Sequence, residues 1–405
     1  MPGRRNKRVR SAKSLESQNL ILTEKFLIVI GTRPEAIKLA PVVRALMRVP
    51  AFKVQVCLTG QHRQLLSQAL SAFDIPVDWD LDLMAENQSL ASLTSRILAD
   101  LGSLLAREAP SLVIVQGDTT TAMAAALTAF QMRIPVAHVE AGLRSGDINQ
   151  PWPEEMNRRL VAKIAAYHFA PTPRSRHNLE AEGIDPAAIV ETGNTVIDAL
   201  NDALDRVRET PELISPVNDL LAEVEGRKLV LATVHRRENL DRRLEEIGAA
   251  LVRLAERQDT LVVFPAHPNP QVMQLADRLR NNFSPVRVIK PLDYFPFIAL
   301  MQRADLILTD SGGIQEEAAA LGRPILVLRE RTERPEVLDG GNGRLVGTDG
   351  DAIFEAANNL LDDHAARSAM ARKHASFGDG KAAERIVNSL ISTLLPSTSP
   401  VVPSP

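Results

Sequence analysis

The sequence predicts an α/β protein built from two doubly wound, Rossmann-like domains facing a central cleft, and three observations predict it. Short apolar runs rich in Val and Ile alternate with longer helix-patterned segments, the signature of βα units around a buried parallel sheet. The alternation occurs twice, on either side of a polar stretch, 201–226, that contains Pro211 and Pro216. Polar motifs follow the apolar runs, which is where open α/β sheets place ligands, beyond the carboxyl ends of their strands. The length agrees, since 405 residues with 45% hydrophobic and 24% charged side chains is ordinary globular usage and too long for one compact core.

In the first half, strands are expected at 26–31, 53–59, 112–116, 136–140 and 189–191. In the second they are expected at 228–233, 260–265, 286–289, 306–309 and 325–328. The resulting domains are 23–200 and 201–379, with tails outside them. Residues 1–22 carry Arg4, Arg5, Lys7, Arg8, Arg10 and Lys13 without the apolar run of about 7 to 15 residues that a secretory signal requires, so they read as a disordered basic tail. The Pro- and Ser-rich stretch 396–405 has no packable face and reads as a second one. A net charge of −3 gives no electrostatic reason to expect nucleic acid or a membrane as partner. One cysteine, Cys57, allows neither an intrachain disulfide nor a thiolate metal cluster, and points to the cytoplasm.

The motifs suggest chemistry, each with a plainer alternative. Thr309-Asp310-Ser311-Gly312-Gly313 ends a strand and opens a helix, so its free amides suit a diphosphate; an ordinary Ser-capped turn would look the same. Glu317, one turn on, could accept hydrogen bonds from a ribose diol, or simply suit a first helical turn. Arg33 and Lys38 follow the first strand, and His235 with Arg236 offers a second cationic pair from the other domain. Asp118, Glu140 and Glu154 are candidate proton carriers, with Asn157, Arg158 and Arg159 placed to orient them; a buried carboxylate beside an arginine is as readily a salt bridge. No spaced glycine fingerprint follows the first strand, and no cluster has metal-ligand spacing, so neither a redox cofactor nor a metal is expected.

Taken in order, the motifs resemble those of the bacterial non-hydrolysing UDP-N-acetylglucosamine 2-epimerases over about 26–395. They include Gly31-Thr32-Arg33-Pro34-Glu35, Gly117-Asp118-Thr119, His138-Val139-Glu140-Ala141-Gly142, Pro151-Trp152-Pro153-Glu154-Glu155, His235-Arg236-Arg237-Glu238, Asp310-Ser311-Gly312-Gly313 and Thr332-Glu333-Arg334-Pro335-Glu336. The resemblance implies a glycosyltransferase-B-like fold, a C-terminal helix at 380–395 returning to the first domain, a homodimer and a UDP-sugar substrate without a cofactor. It implies substrate contacts from Arg33, Lys38, Arg158, Ser311, Gly312, Gly313 and Arg334, the ribose on Glu317, the uracil on Phe297, and a backbone contact at Leu292 where relatives can carry Gln. Asp118, Glu140, Glu154 and His235 would be catalytic, in an elimination of UDP to a glycal followed by re-addition, supplying N-acetylmannosamine-type sugars for surface polysaccharides. Gln61, Gln64, Gln88, Arg236 and His267 match a regulatory substrate site of some relatives, with Asn87 where those can have Arg. An epimerase for a 6-deoxy or diacetamido-uronic sugar would share these motifs, and a glycosyltransferase of the same fold would share the nucleotide site.

Overall fold

The computed structural model describes residues 23–60, 63–85, 88–236, 239–240, 242–281 and 284–395, with the backbone alone for 63–65. Both expected tails, 1–22 and 396–405, lie outside these described residues. The first sheet has seven parallel strands: β1 Glu24–Ile30, β2 Phe52–Leu58, β3 Trp79–Asp80, β4 Leu112–Gln116, β5 Val136–Val139, β6 Tyr167–Ala170 and β7 Ile189–Glu191, in the order β3-β2-β1-β4-β5-β6-β7. The second has six: β8 Lys228–Thr233, β9 Thr260–Pro265, β10 Arg287–Ile289, β11 Leu306–Thr309, β12 Ile325–Val327 and β13 Gly343–Leu345, in the order β10-β9-β8-β11-β12-β13. Each order reverses direction once, between β1 and β4 and between β8 and β11, and the crevice at such a reversal is where doubly wound sheets hold ligands.

The apolar runs explain the central strands. Phe26, Leu27, Ile28, Val29 and Ile30 are all fully buried, as a strand covered by helices on both faces requires. Strands β3, β6 and β13 were not expected, because two are only two or three residues long and β6 carries the buried His168 inside its short run. The stretch 201–226 is itself structured: the helix Thr195–Glu209 runs through Asn201, and a 3-10 segment Pro211–Val217 and a short helix Asn218–Glu223 follow it. Val196, Ile197 and Ala199 of the first of these helices join Leu231 and Val263 of the second sheet in one hydrophobic core, so apolar packing links the two sheets.

The C-terminal helix Ala382–Leu394 packs on the first helix, Arg33–Met47. Asp198 accepts from the backbone of Ala382 at 3.2 Å and Ala383 at 2.9 Å, capping the helix from the first domain. The chain enters it through Gly378, whose φ of 117° only glycine adopts readily, and a Cβ there would lie 3.0 Å from Cα of Gly193. Among the described residues, no helix is long and apolar enough to cross a membrane.

Candidate active site

The loops after β1, β4, β8 and β11 meet at the two strand reversals. Glu35 ties the first pair together. One of its oxygens accepts from the backbone of Gly31 at 3.0 Å and Thr32 at 2.6 Å, while the other accepts from the Thr119 hydroxyl at 2.7 Å. Burial pushes its carboxyl up to about 7. His138 braces the second of these loops, donating from Nε2 to the Gly117 carbonyl at 2.8 Å, and burial pushes the ring's pKa down to about 3, so it is neutral there. Asn157 donates to the Asp118 carbonyl at 2.9 Å, so the residue bearing this carboxylate is held on both sides.

Asp310 organises the second pair. Its buried carboxylate accepts from the backbone of His235 at 3.0 Å and of Arg236 at 2.9 Å, and from Asn239 Nδ2 at 3.0 Å. Burial alone would raise its pKa, but the adjacent His235 and these donors bring it down to about 2. Ser311 caps the helix Gly312–Leu321 by position only, because its side chain makes no cap bond. The two glycines differ. A Cβ on Gly312 would sit 2.2 Å from Arg334 Nη1, so that glycine makes room for a guanidinium, whereas a Cβ on Gly313 would meet nothing within 4 Å.

A cavity of about 340 Å³ opens over this helix end. The first domain contributes Arg33 and Lys38 to its wall, and the second contributes His235, Leu292, Phe297, Ser311, Gly313 and Glu317. Free amides at a helix start, with cations opposite, make an anion site. A larger groove of about 1140 Å³ lies elsewhere, but Asp74, Asp202, Asp205 and Glu209 along it make it unsuited to a diphosphate.

Beside the cavity the two domains share a buried charge cluster. Lys38 Nζ lies 2.6 Å from Glu140 and 3.4 Å from Glu316. Arg334 reaches Glu316 at 2.7 Å, Glu140 at 3.2 Å and Glu333 at 2.5 Å. Glu333 also meets Arg236 at 3.0 Å and Arg329 at 2.7 Å; burial would raise its pKa, yet the surrounding guanidiniums hold it well below the carboxylate range. Arg158 pairs with Asp118 at 2.5 Å and with Glu155 at 3.0 Å, and lies 4.0 Å from Glu333. Gln116 donates to Glu140, and Glu140 itself sits at φ 65°, a left-handed conformation that costs a non-glycine residue about 1 to 3 kcal/mol. Strain of this kind concentrates where geometry serves a reaction.

The sequence profile described as UDP-N-acetylglucosamine 2-epimerase matches residues 44–391. The chain belongs to the UDP-N-acetylglucosamine 2-epimerase family. It is 49% identical over 368 residues to the Escherichia coli K12 UDP-N-acetylglucosamine 2-epimerase, covering 90% of this chain and 98% of that one. It is 48% identical over 368 residues to the Yersinia pestis enzyme, with the same coverage. The crystal structure of the Neisseria meningitidis UDP-GlcNAc 2-epimerase bound to UDP-GlcNAc superposes with a TM-score of 0.86 at 42% identity, covering 91% of this chain and 100% of that one. The glycosyltransferase-B-like, two-domain α/β fold expected from the sequence is the fold of this epimerase family.

Within this epimerase the expected residues divide. Arg33, Lys38, His235, Leu292, Phe297, Ser311, Gly313 and Glu317 share the cleft cavity, and Asp118, Glu140, Arg158 and Arg334 share the charge cluster. Leu292 offers its carbonyl, but to Arg33 Nη2 at 3.1 Å. Glu154 starts the helix Glu154–Ile164 and lines a second cavity, of about 480 Å³, together with Arg236 and Arg329, both of which pair with Glu333 of the charge cluster. His267 lines the first cavity instead, stacked on His235 at 5.4 Å, so Arg236 and His267 face different spaces. Gln88 lines neither and donates to Met84 Sδ. Gln61 and Asn87 lie outside the described residues, as does the side chain of Gln64. The sequence reading assigned no role to Glu316, Glu333, Asp310, His138 or Gln116; Glu333, Asp310 and His138 stand inside quoted motifs and Glu316 adjoins Glu317, and that adjacency was the signal available.

Proposed function

We propose that the protein interconverts UDP-N-acetylglucosamine and UDP-N-acetylmannosamine by eliminating UDP to a glycal and re-adding it. The observation that carries this reading is the direct continuity between the helix-end anion cavity and a buried carboxylate cluster, through Lys38. The C2 hydrogen has no adjacent carbonyl to acidify it, so cleavage of the C1–O bond leads, and the electron pair departs with UDP. Lys38, the Ser311 hydroxyl and the Gly313 amide stabilise the leaving diphosphate. A carboxylate then takes the C2 proton, closing the C1–C2 double bond. Return requires a proton delivered to C2 from the opposite face while UDP oxygen rebonds C1, which calls for more than one carrier. Glu140 and Asp118 fit this pair because each is held by a cation, Lys38 and Arg158 respectively. Phe297 stacks the uracil and Glu317 takes the ribose.

The assembly we infer is a homodimer, supported by Phe130, Met156 and Leu160, apolar yet exposed on two helices that pack together, Thr120–Gln131 and Glu154–Ile164. The lone buried cysteine supports action in the reducing cytoplasm. A regulatory substrate site belongs in the second cavity, where Glu154 Oε2 and Arg236 Nε are buried without hydrogen-bond partners among the described residues. Incubation with UDP-N-acetylglucosamine in heavy water tests the main reading. Inversion with deuterium appearing at C2 in the NMR spectrum is the expected result; inversion with protium retained there would overturn it.

A further inference from the structure

We propose that Tyr294 is a positioning residue that holds Glu317 ready for a ribose diol and thereby makes the site discriminate ribonucleotides from 2′-deoxyribonucleotides. The proposal rests on the reading of Glu317 as the ribose carboxylate. Tyr294 begins the helix Tyr294–Arg303, and its ring is wedged against Phe73 at 5.4 Å and Phe295 at 6.3 Å. So held, its hydroxyl donates to Glu317 Oε1 at 2.7 Å. Both side chains are buried, and both line the cleft cavity. Among the described residues nothing bonds Glu317 Oε2, which leaves that oxygen for the ligand.

The chemistry follows from what a vicinal diol needs. Two adjacent hydroxyls donate together only to an ionised carboxylate whose plane is fixed. Every packed element bears on that ionisation: Tyr294 from its own helix, Arg33 and Lys38 from the first domain, and Glu316 from the same helix as Glu317. Burial wins and pushes the Glu317 carboxyl up to about 7, with the Tyr294 bond and the cations opposing it. A diol ligand favours the ionised form, so its affinity rises as pH passes upward through this value. Without the tyrosine hydroxyl the carboxyl keeps its proton to higher pH, and the rise moves up with it.

The test compares UDP with 2′-deoxy-UDP by calorimetry, from about pH 6 to about pH 8.5, a range that brackets the Glu317 transition. In the wild-type protein, UDP affinity should climb across this range while 2′-deoxy-UDP affinity stays nearly flat. In Tyr294→Phe, UDP affinity at neutral pH should fall about three- to tenfold, the net worth of one ordinary hydrogen bond, and the preference over the deoxy form should shrink. KM for UDP-N-acetylglucosamine should rise in step, recovering at high pH, with kcat changed by less than KM. A purely structural tyrosine would lower kcat and both affinities together. Unchanged sugar discrimination in Tyr294→Phe, or a flat wild-type pH response, overturns the proposal. Glu317→Gln separates the layers: if it keeps full discrimination, the ribose reading of Glu317 fails, and the role of Tyr294 fails with it.

Discussion

The two ends of the cleft are built on opposite principles. At the end proposed for the nucleotide the wall is mostly apolar by area, and among its polar groups the Ser311 hydroxyl, the Gly313 amide and one Glu317 oxygen keep bonding capacity in reserve for a ligand. At the sugar end nearly every charge is already paired: Lys38, Arg334 and Arg158 are each bound to carboxylates at 2.5 to 2.7 Å. The difference teaches that the first end recognises by leaving donors and acceptors open, while the second works by exchanging partners. In the proposed reaction an arriving diphosphate competes with Glu140 and Glu316 for Lys38, their partner in the free protein.

The largest expected effect would break the comparison if absent. Glu140→Gln and Asp118→Asn should each lower turnover about 10²- to 10⁴-fold while UDP affinity, measured by calorimetry, stays within a few-fold, because proton transfer and nucleotide binding lie at different ends. Near-normal turnover in both would dissolve the division. Next comes stability. Glu333→Gln leaves Arg236, Arg329 and Arg334 facing one another in the interior, and should destabilise the protein by about 3 to 5 kcal/mol in denaturant unfolding, a cost typical of a broken buried pair.

The smallest effect sharpens the picture through pH. Glu35 and Glu317 both have carboxyls raised to about 7 by burial. A carboxyl raised on folding stabilises the fold below its unfolded pKa, and that contribution is lost as pH rises through the folded value. Melting temperature should therefore decline between about pH 4.5 and about pH 7.5, and Glu35→Gln should make the decline shallower. An equal slope in the variant would mean that Glu35 is already ionised at low pH.

What was legible in the sequence was whatever a local pattern encodes. The run Phe26-Leu27-Ile28-Val29-Ile30 announces a central strand, and residues directly after strands, such as Arg33, His235 and Ser311, reach the cleft because strand ends point there. Partners set by distant packing were not legible. Glu316 and Glu317 are sequence neighbours, yet about 100° of helical turn sends one to Lys38 and Arg334 and the other to Tyr294. Gly312 reads as an anion-contacting glycine, and that it also makes room for the guanidinium of Arg334 is set by packing that no local pattern encodes. Glu154 follows a Pro-Trp-Pro motif, and that it lines a second cavity with Arg236 is set by where its helix starts, which no local pattern encodes. Short edge strands such as β3 and β13 leave too few residues for any periodicity to register.

The central claim is that inversion at C2 passes through cleavage of the bond between sugar and UDP, and isotope position tests it most directly. UDP-N-acetylglucosamine carrying ¹⁸O in the bridging glycosidic position is incubated with the protein, and the remaining substrate is followed by ³¹P NMR. Once freed, the terminal phosphate of UDP rotates before it re-adds, so the label should spread into its non-bridging positions at least as fast as inversion proceeds. Inversion at C2 with the label still wholly in the bridge would contradict the account.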